Sequence, residues 1–168
     1  PNRRAVLGRV APLLHRDDPE PCAIMIVDID YFKAINDQLG HSTGDEVLKV
    51  VAAAVREAVK EPAFFGRLGG EEFLIVLPGT RLAEACSVAQ SLCDRIEAID
   101  TSRWFDDKRS ITCSIGVSVS VPGRDTPSTM LQRADAALYS AKRGGRNCVR
   151  TEPSLEPGMG AAAAVVDV

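Results

Sequence analysis

Four acidic residues stand in two short stretches far apart in the chain: Asp28 and Asp30 at the end of an apolar run, and Glu71 and Glu72 behind a glycine pair. Carboxylate oxygens are the hard ligands that Mg²⁺ takes. The ion usually accepts only one or two of them and fills its remaining positions with phosphate oxygens and water. Brought together, the two stretches make a candidate magnesium site. Two such ions, bridged by carboxylates, stabilise both the attacking and the leaving oxygen of a phosphoryl or nucleotidyl transfer. Lys33, Lys142 and Arg146 are cations of the kind a triphosphate requires around it. Asn36 and Asp45 are an amide and a carboxylate. A carboxylate accepts from the N–H groups on guanine's Watson–Crick edge. Adenine lacks the 2-amino group and leaves that carboxylate unpaired, which is a strong ground for rejection.

Each feature also has a plain structural alternative. Asp-x-Asp after a strand can cap a loop, and paired glutamates can keep a hairpin tip solvated. Lys142 and Arg146 flank the end of a helix, where cations favour the macrodipole, and Asp45 sits in a first turn, where an anion does. His41 stands in a turn with no second histidine near it in sequence and reads as structural.

The elements that must position these groups follow from periodicity. Arg3 to Leu14 has apolar residues at spacings of three and four, as a helix does. Asp17 to Pro21 breaks it, and Cys22 to Val27 is a continuous apolar run, as in a strand buried on both faces. The chain then turns through Tyr31 to His41. Thr43 and Glu46 have capping-box spacing ahead of a helix reaching about Lys60. Phe64-Phe65 and Phe73 to Leu77 flank Gly69-Gly70, and a tight two-residue turn needs the positive φ that glycine adopts cheaply. Glutamate is depleted in strands. Because strand side chains alternate, one of Glu71 and Glu72 must point toward whatever covers the sheet or toward a site at its end.

Thr80 is the expected N-cap of the next helix, with its stripe at Leu82, Ala85, Ala89, Leu92, Cys93 and Ile96. Ser110 to Val121 reads as a strand. Thr126-Pro127 opens a last helix that stops at Gly144-Gly145, and Asn147 to Arg150 is a closing strand. The order predicts an α+β sandwich with a βαββαβ core, its helices packed around a mostly antiparallel central sheet.

With 168 residues, 45% hydrophobic and 26% charged, the chain is expected to form one globular domain. Its net charge of -3 argues against a nucleic-acid or membrane-surface binder that works by bulk charge. No apolar run approaches the roughly 20 residues of a membrane span. Five widely spaced cysteines without a C-x-x-C pair suggest small buried hydrophobes in a reducing cytoplasm. The start at Pro1, with no secretory leader, suggests a piece of a longer protein. Residues 1–150 are expected to form the catalytic domain, and 151–168, with its Pro, Gly and alanine run, a disordered tail.

Asp28-Ile29-Asp30-Tyr31-Phe32-Lys33-Ala34-Ile35-Asn36-Asp37, then Gly40-His41, Gly44-Asp45 and Leu48, resemble the first motif of the GGDEF-domain diguanylate cyclases. Gly69-Gly70-Glu71-Glu72-Phe73 is similar to the motif that gives the family its name. Ser114-Ile115-Gly116, Ala134-Asp135, Ala137-Leu138-Tyr139, Ala141-Lys142 and Gly145-Arg146-Asn147 match later segments, in order and at the right spacing.

The resemblance implies a palm-like fold, as in nucleotidyl cyclases, and condensation of two GTP into cyclic di-GMP with release of two pyrophosphates. It implies two half-sites in a homodimer, each binding one GTP and two Mg²⁺, with Mn²⁺ able to substitute. Asp28, the Ile29 carbonyl and Glu71 would hold metal, and Glu71 would be the base. Glu72 and Lys33 would support catalysis. Lys33, Lys142 and Arg146 would hold phosphates, Asn36 and Asp45 would read guanine, and Phe32 and Leu48 would line the substrate site. The domain would be cytoplasmic, in a full-length protein that a segment outside this chain could anchor to a membrane.

One departure is visible. The family's inhibitory product site is R-x-x-D, and its frame here holds Lys60-Glu61-Pro62-Ala63. Lysine does not replace the arginine fork, so tight product feedback at that site is expected to be lost. Two other readings stand beside the cyclase. One is a non-catalytic module that binds GTP or cyclic di-GMP; the other is a generic palm-like nucleotidyl transferase or adenylyl cyclase, which has no use for a guanine-reading Asp45.

Overall fold

All eight residues of Cys22–Ile29 are buried, which places this run in the middle of a sheet covered on both faces. It is β1 in a computed structural model that describes residues 3–14, 20–107, 109–121 and 123–151. Helix α1 (Arg3–Leu14) precedes it. After it come α2 (Phe32–Leu39), α3 (His41–Ala58), β2 (Phe64–Gly69), β3 (Glu72–Pro78), α4 (Leu82–Glu97), β4 (Cys113–Val119), α5 (Pro127–Arg143) and β5 (Val149–Thr151). The sheet order is β2-β3-β1-β4-β5. Three neighbouring pairs are antiparallel and β4–β5 is parallel, so the expected α+β architecture with a mostly antiparallel sheet is present.

Strand alternation divides the core in two. Ala23, Met25, Val27 and Ile29 join an apolar cluster with residues of α2, α3 and α4, such as Ile35, Val51 and Leu92. Cys22, Ile24 and Ile26 face the other way and pack on Val6 and Val10 of α1 and on Met130, Ala134 and Leu138 of α5. Asp28 continues this second series, so its side chain is directed to the α1–α5 layer. Gly116 allows α5 to lie directly on β4, because a Cβ there would collide with the backbone of Ala134 and Leu138.

Several expected boundaries move. Tyr31 to His41 is not a plain turn but holds α2, which buries Phe32 and Ile35. Eight residues show too little period to declare a helix, and tertiary packing stabilises it. Helix α3 begins at His41 and ends at Ala58, so Thr43 is not its cap. Its hydroxyl donates back to the Leu39 carbonyl at 3.0 Å, and Glu46 accepts from the Trp104 indole at 3.0 Å instead. Helix α4 is capped at Arg81, whose N–H donates to Glu84 at 3.2 Å, one residue past the expected Thr80. Thr126 does cap α5, accepting from the Thr129 N–H at 3.2 Å. Strand β4 starts at Cys113 rather than Ser110, and β5 at Val149 rather than Asn147.

The hairpin turn is also displaced. Gly69 pairs with Glu72, which makes Gly70 and Glu71 the turn residues. A register shift between Arg67 and Gly69 inserts a bulge that slides the turn by one position. Gly70 supplies the positive φ of 50°. All five cysteines are free, and Cys22, Cys93 and Cys113 are buried. Among the described residues no helix is long and apolar enough to cross a membrane. Apart from Thr151, which ends β5, the expected tail lies outside the described residues.

Candidate active site

The hairpin and β1 deliver their carboxylates to the same end of the sheet. Asp28 and Glu72 are direct partners across the antiparallel β1–β3 pair, and such partners point to one face at close range. Glu71 caps the hairpin as the second turn residue. From α5, Lys142 reaches in and its Nζ lies 2.7 Å from Asp28 Oδ2, with the aspartate side chain only 6% exposed.

Desolvation pushes the Asp28 carboxyl above its ordinary range; Lys142 opposes the shift, while Glu71 and Asp30 add to it. Desolvation raises Glu72 too, and Asp28, Asp135 and Glu71 push it further against the pull of Lys142. One ammonium therefore serves a group of carboxylates that outnumbers it. This donor chemistry suits a hard divalent cation.

Asp30 does not belong to that group. Its carboxylate accepts from Thr112 Oγ1 at 2.8 Å, Ser114 Oγ at 2.7 Å and the Asn147 N–H at 3.0 Å. It ties the end of β1 to β4 and to the corner after α5. Among the described residues no three His, Cys, Asp or Glu side chains gather as a metal cluster. The fit is therefore to an ion that draws on one or two carboxylates and takes its other ligands from phosphate and water; Ile29, whose carbonyl the resemblance names as a ligand, stands between the two aspartates in the chain.

The groups expected to read the base lie in the other layer, between α2 and α3. Asn36 projects from α2 onto Gly44 of α3, so closely that a Cβ on Gly44 would collide with its Oδ1 and stand 3.2 Å from Phe32 Cζ. Asp45, next along, is exposed. Phe32 and Leu48 are 8% and 6% exposed, so they can offer a ligand a wall and little more. Lys33 is exposed on the first turn of α2. Arg146 lies over the Tyr31 ring, 4.5 Å from its centroid. Beside Glu72, a cavity of about 580 Å³ opens between α1 and α5, with Arg3, Gln132 and Asp135 in its wall.

Sequence reasoning named three further contributors within the family motifs without assigning them a part. Gly44 and Gly116 each permit a close approach, and a glycine inside a helix or strand pattern is the signal for that. Asp135 faces Glu72 electrostatically; the resemblance includes it in a matching segment, but as one polar residue on an amphipathic helix it suggested no role.

The family model described as "Diguanylate cyclase, GGDEF domain" matches residues 1–148. The response regulator PleD of Caulobacter vibrioides is 38% identical over 151 residues, covering 88% of this chain and 33% of PleD. Diguanylate cyclase DgcP of Pseudomonas aeruginosa is 39% identical over 153 residues, covering 88% of this chain and 22% of DgcP. The chain thus spans a third or less of these curated relatives. Among solved structures, the active GGEEF domain of a diguanylate cyclase from Vibrio cholerae superposes with a TM-score of 0.81 at 35% identity, covering 90% of this chain and 98% of that one. The coiled coil and GGDEF domain of DgcB from Caulobacter crescentus, solved in complex with c-di-GMP, gives 0.83 at 30% identity, over 90% and 81% of the two chains. On its motifs, its fold and these matches, the chain belongs to the GGDEF family of diguanylate cyclase domains.

Proposed function

We propose that the chain condenses two GTP into cyclic di-GMP, with two such domains meeting so that each bound nucleotide attacks the other. In each step a ribose 3′-oxygen forms a bond to the partner nucleotide's α-phosphorus and the bond to pyrophosphate breaks. Glu71 takes the hydroxyl proton, from a turn position that gives its carboxylate freedom to reach substrate. Asp28, the Ile29 carbonyl and Glu71 hold the two Mg²⁺, for which Mn²⁺ can stand in, and Glu72 backs them from β3. GGDEF diguanylate cyclases need a divalent metal, which offsets the charge of the triphosphate and polarises the reacting phosphorus–oxygen bonds.

Lys142, held beside Asp28 at 2.7 Å, and Arg146 and Lys33 neutralise phosphate charge. Asp45 and Asn36 select guanine. The R-x-x-D product site is absent, its frame being occupied by Lys60 to Ala63. Cyclic di-GMP, which presents the same base edge, is bound at the guanine pocket itself.

The observation that carries this reading is the opposition of Asp28 and Glu72 across β1 and β3, with the Lys142 ammonium at Asp28. The test is incubation with GTP and Mg²⁺ and identification of the product over a range of protein concentration. Cyclic di-GMP should form, and the rate per molecule should rise with concentration, because each copy supplies half a site. Glu71→Gln should abolish turnover with the fold intact. Full activity in that variant, or turnover of ATP in preference to GTP, would overturn the reading.

A further inference from the structure

Among the described residues, positive φ at a non-glycine position occurs at Tyr31 (56°), Arg146 (66°) and Asn147 (44°). These three meet at one junction. The Arg146 guanidinium carbon lies 4.5 Å from the centroid of the Tyr31 ring, and its Nη1 is 3.4 Å from the Tyr31 hydroxyl. The Asn147 N–H donates to Asp30 at 3.0 Å, and its side-chain amide to Glu97 at 3.1 Å. Left-handed backbone is unfavourable for L-residues, least so for glycine and asparagine, and persists where surrounding contacts hold it. Burial does not account for tyrosine at 31, since the residue is 63% exposed. A chain that needed only the turn would be better served there by glycine or asparagine.

We propose that Tyr31 is a positioning residue: its ring is a shelf that fixes the Arg146 guanidinium toward the nucleotide's phosphates, while Asp30 anchors the corner behind it. This rests on the reading of Arg146 as a phosphate-binding cation. The peptide of Tyr31 also follows directly from the Ile29–Asp30 segment, so one strained turn sets both the end of β1 and the reach of Arg146.

The test is a double-mutant cycle on affinity for a GTP analogue with a methylene bridge between the α- and β-phosphorus, which cannot release pyrophosphate. Calorimetry on the whole chain reads the dissociation constant, and thermal melts run alongside. Tyr31→Asn should weaken binding about twofold to fivefold, the scale of an exposed cation–π contact, with a melting midpoint at or above wild type. Tyr31→Phe should bind as wild type does. On an Arg146→Ala background, Tyr31→Asn should cause no further loss. Unchanged affinity in Tyr31→Asn, or losses that multiply in full in the double variant, would overturn the proposal. A wild-type chain that binds the analogue but forms no cyclic di-GMP from GTP would sink the cyclase reading alone, with the cycle still judging Tyr31. A chain that binds no analogue sinks both.

Discussion

Asp28 and Glu72 face each other across β1 and β3, two carboxylates in one antiparallel pair with Lys142 ion-paired to the first of them. Burial and Asp28 hold the Glu72 carboxyl above its ordinary value of 4.5. The folded chain therefore binds that proton more tightly than the unfolded chain. The resulting stabilisation is fully present below about pH 4.5 and is lost as pH rises through the folded-state value. Glu72→Gln should accordingly melt higher than wild type at pH 7 in chelator and level with it near pH 4. Equal midpoints at both pH values would show that the pair carries no net repulsion.

A divalent cation should reverse this balance. Ligands that bind only the folded state stabilise it by mass action, about 1.4 kcal/mol at ten times the dissociation constant. For a domain of this size that raises the melting midpoint by roughly 3 to 6 °C. Mg²⁺ or Mn²⁺ added to chelated wild type should produce such a rise. Asp28→Asn, compared with and without the ion, should show little or none. A rise of equal size in that variant would place the cation elsewhere.

Gly116 is the contact on which α5 rests. A methyl group there meets the backbone of Ala134 and Leu138 rather than a side chain that can rotate away. Gly116→Ala should cost about 3 kcal/mol, the upper end for overpacking, read from urea or guanidinium unfolding. Lys142 rides on the same helix, so turnover should fall in any fraction that stays folded.

Feedback at the R-x-x-D frame should be missing. Lys60 and Glu61 are exposed in the loop before β2, where a lysine supplies a point charge without a fork. Cyclic di-GMP affinity should be the same in wild type and Lys60→Ala and should drop in Asp45→Ala. Micromolar binding abolished by Lys60→Ala would restore the feedback site.

Much of this fold was legible because its period is strong. The unbroken run Cys22 to Val27 reads as a central strand, and the stripes of α3, α4 and α5 give buried faces at Val47, Ala89 and Ala134 as their spacing requires. What escaped depended on partners distant in sequence. Helix α2 is held by α3, Glu46 is taken by Trp104, and β5 pairs in parallel with β4 because α5 returns the chain to the same end of the sheet. The site shows the same division. Asp28, Glu72 and Lys142 were legible as chemistry, and the structure joins them. Asp30, of identical type and two residues away, is turned to structural use by Thr112, Ser114 and Asn147, which no local pattern in the sequence could reveal.

The sheet keeps its two apolar clusters apart, and the groups that matter are shared out between them. The carboxylates and Lys142 belong to the α1–α5 side, whereas Asn36 and Asp45 belong to the α2–α3 side. A nucleotide gripped by both must drape over the tip of β1 like a strap over a beam, its base on one flank and its phosphates on the other. On the roles proposed for these residues, selection would then be partly by span: guanosine alone would reach one flank and pyrophosphate alone the other, and only a molecule long enough to straddle the edge would engage both.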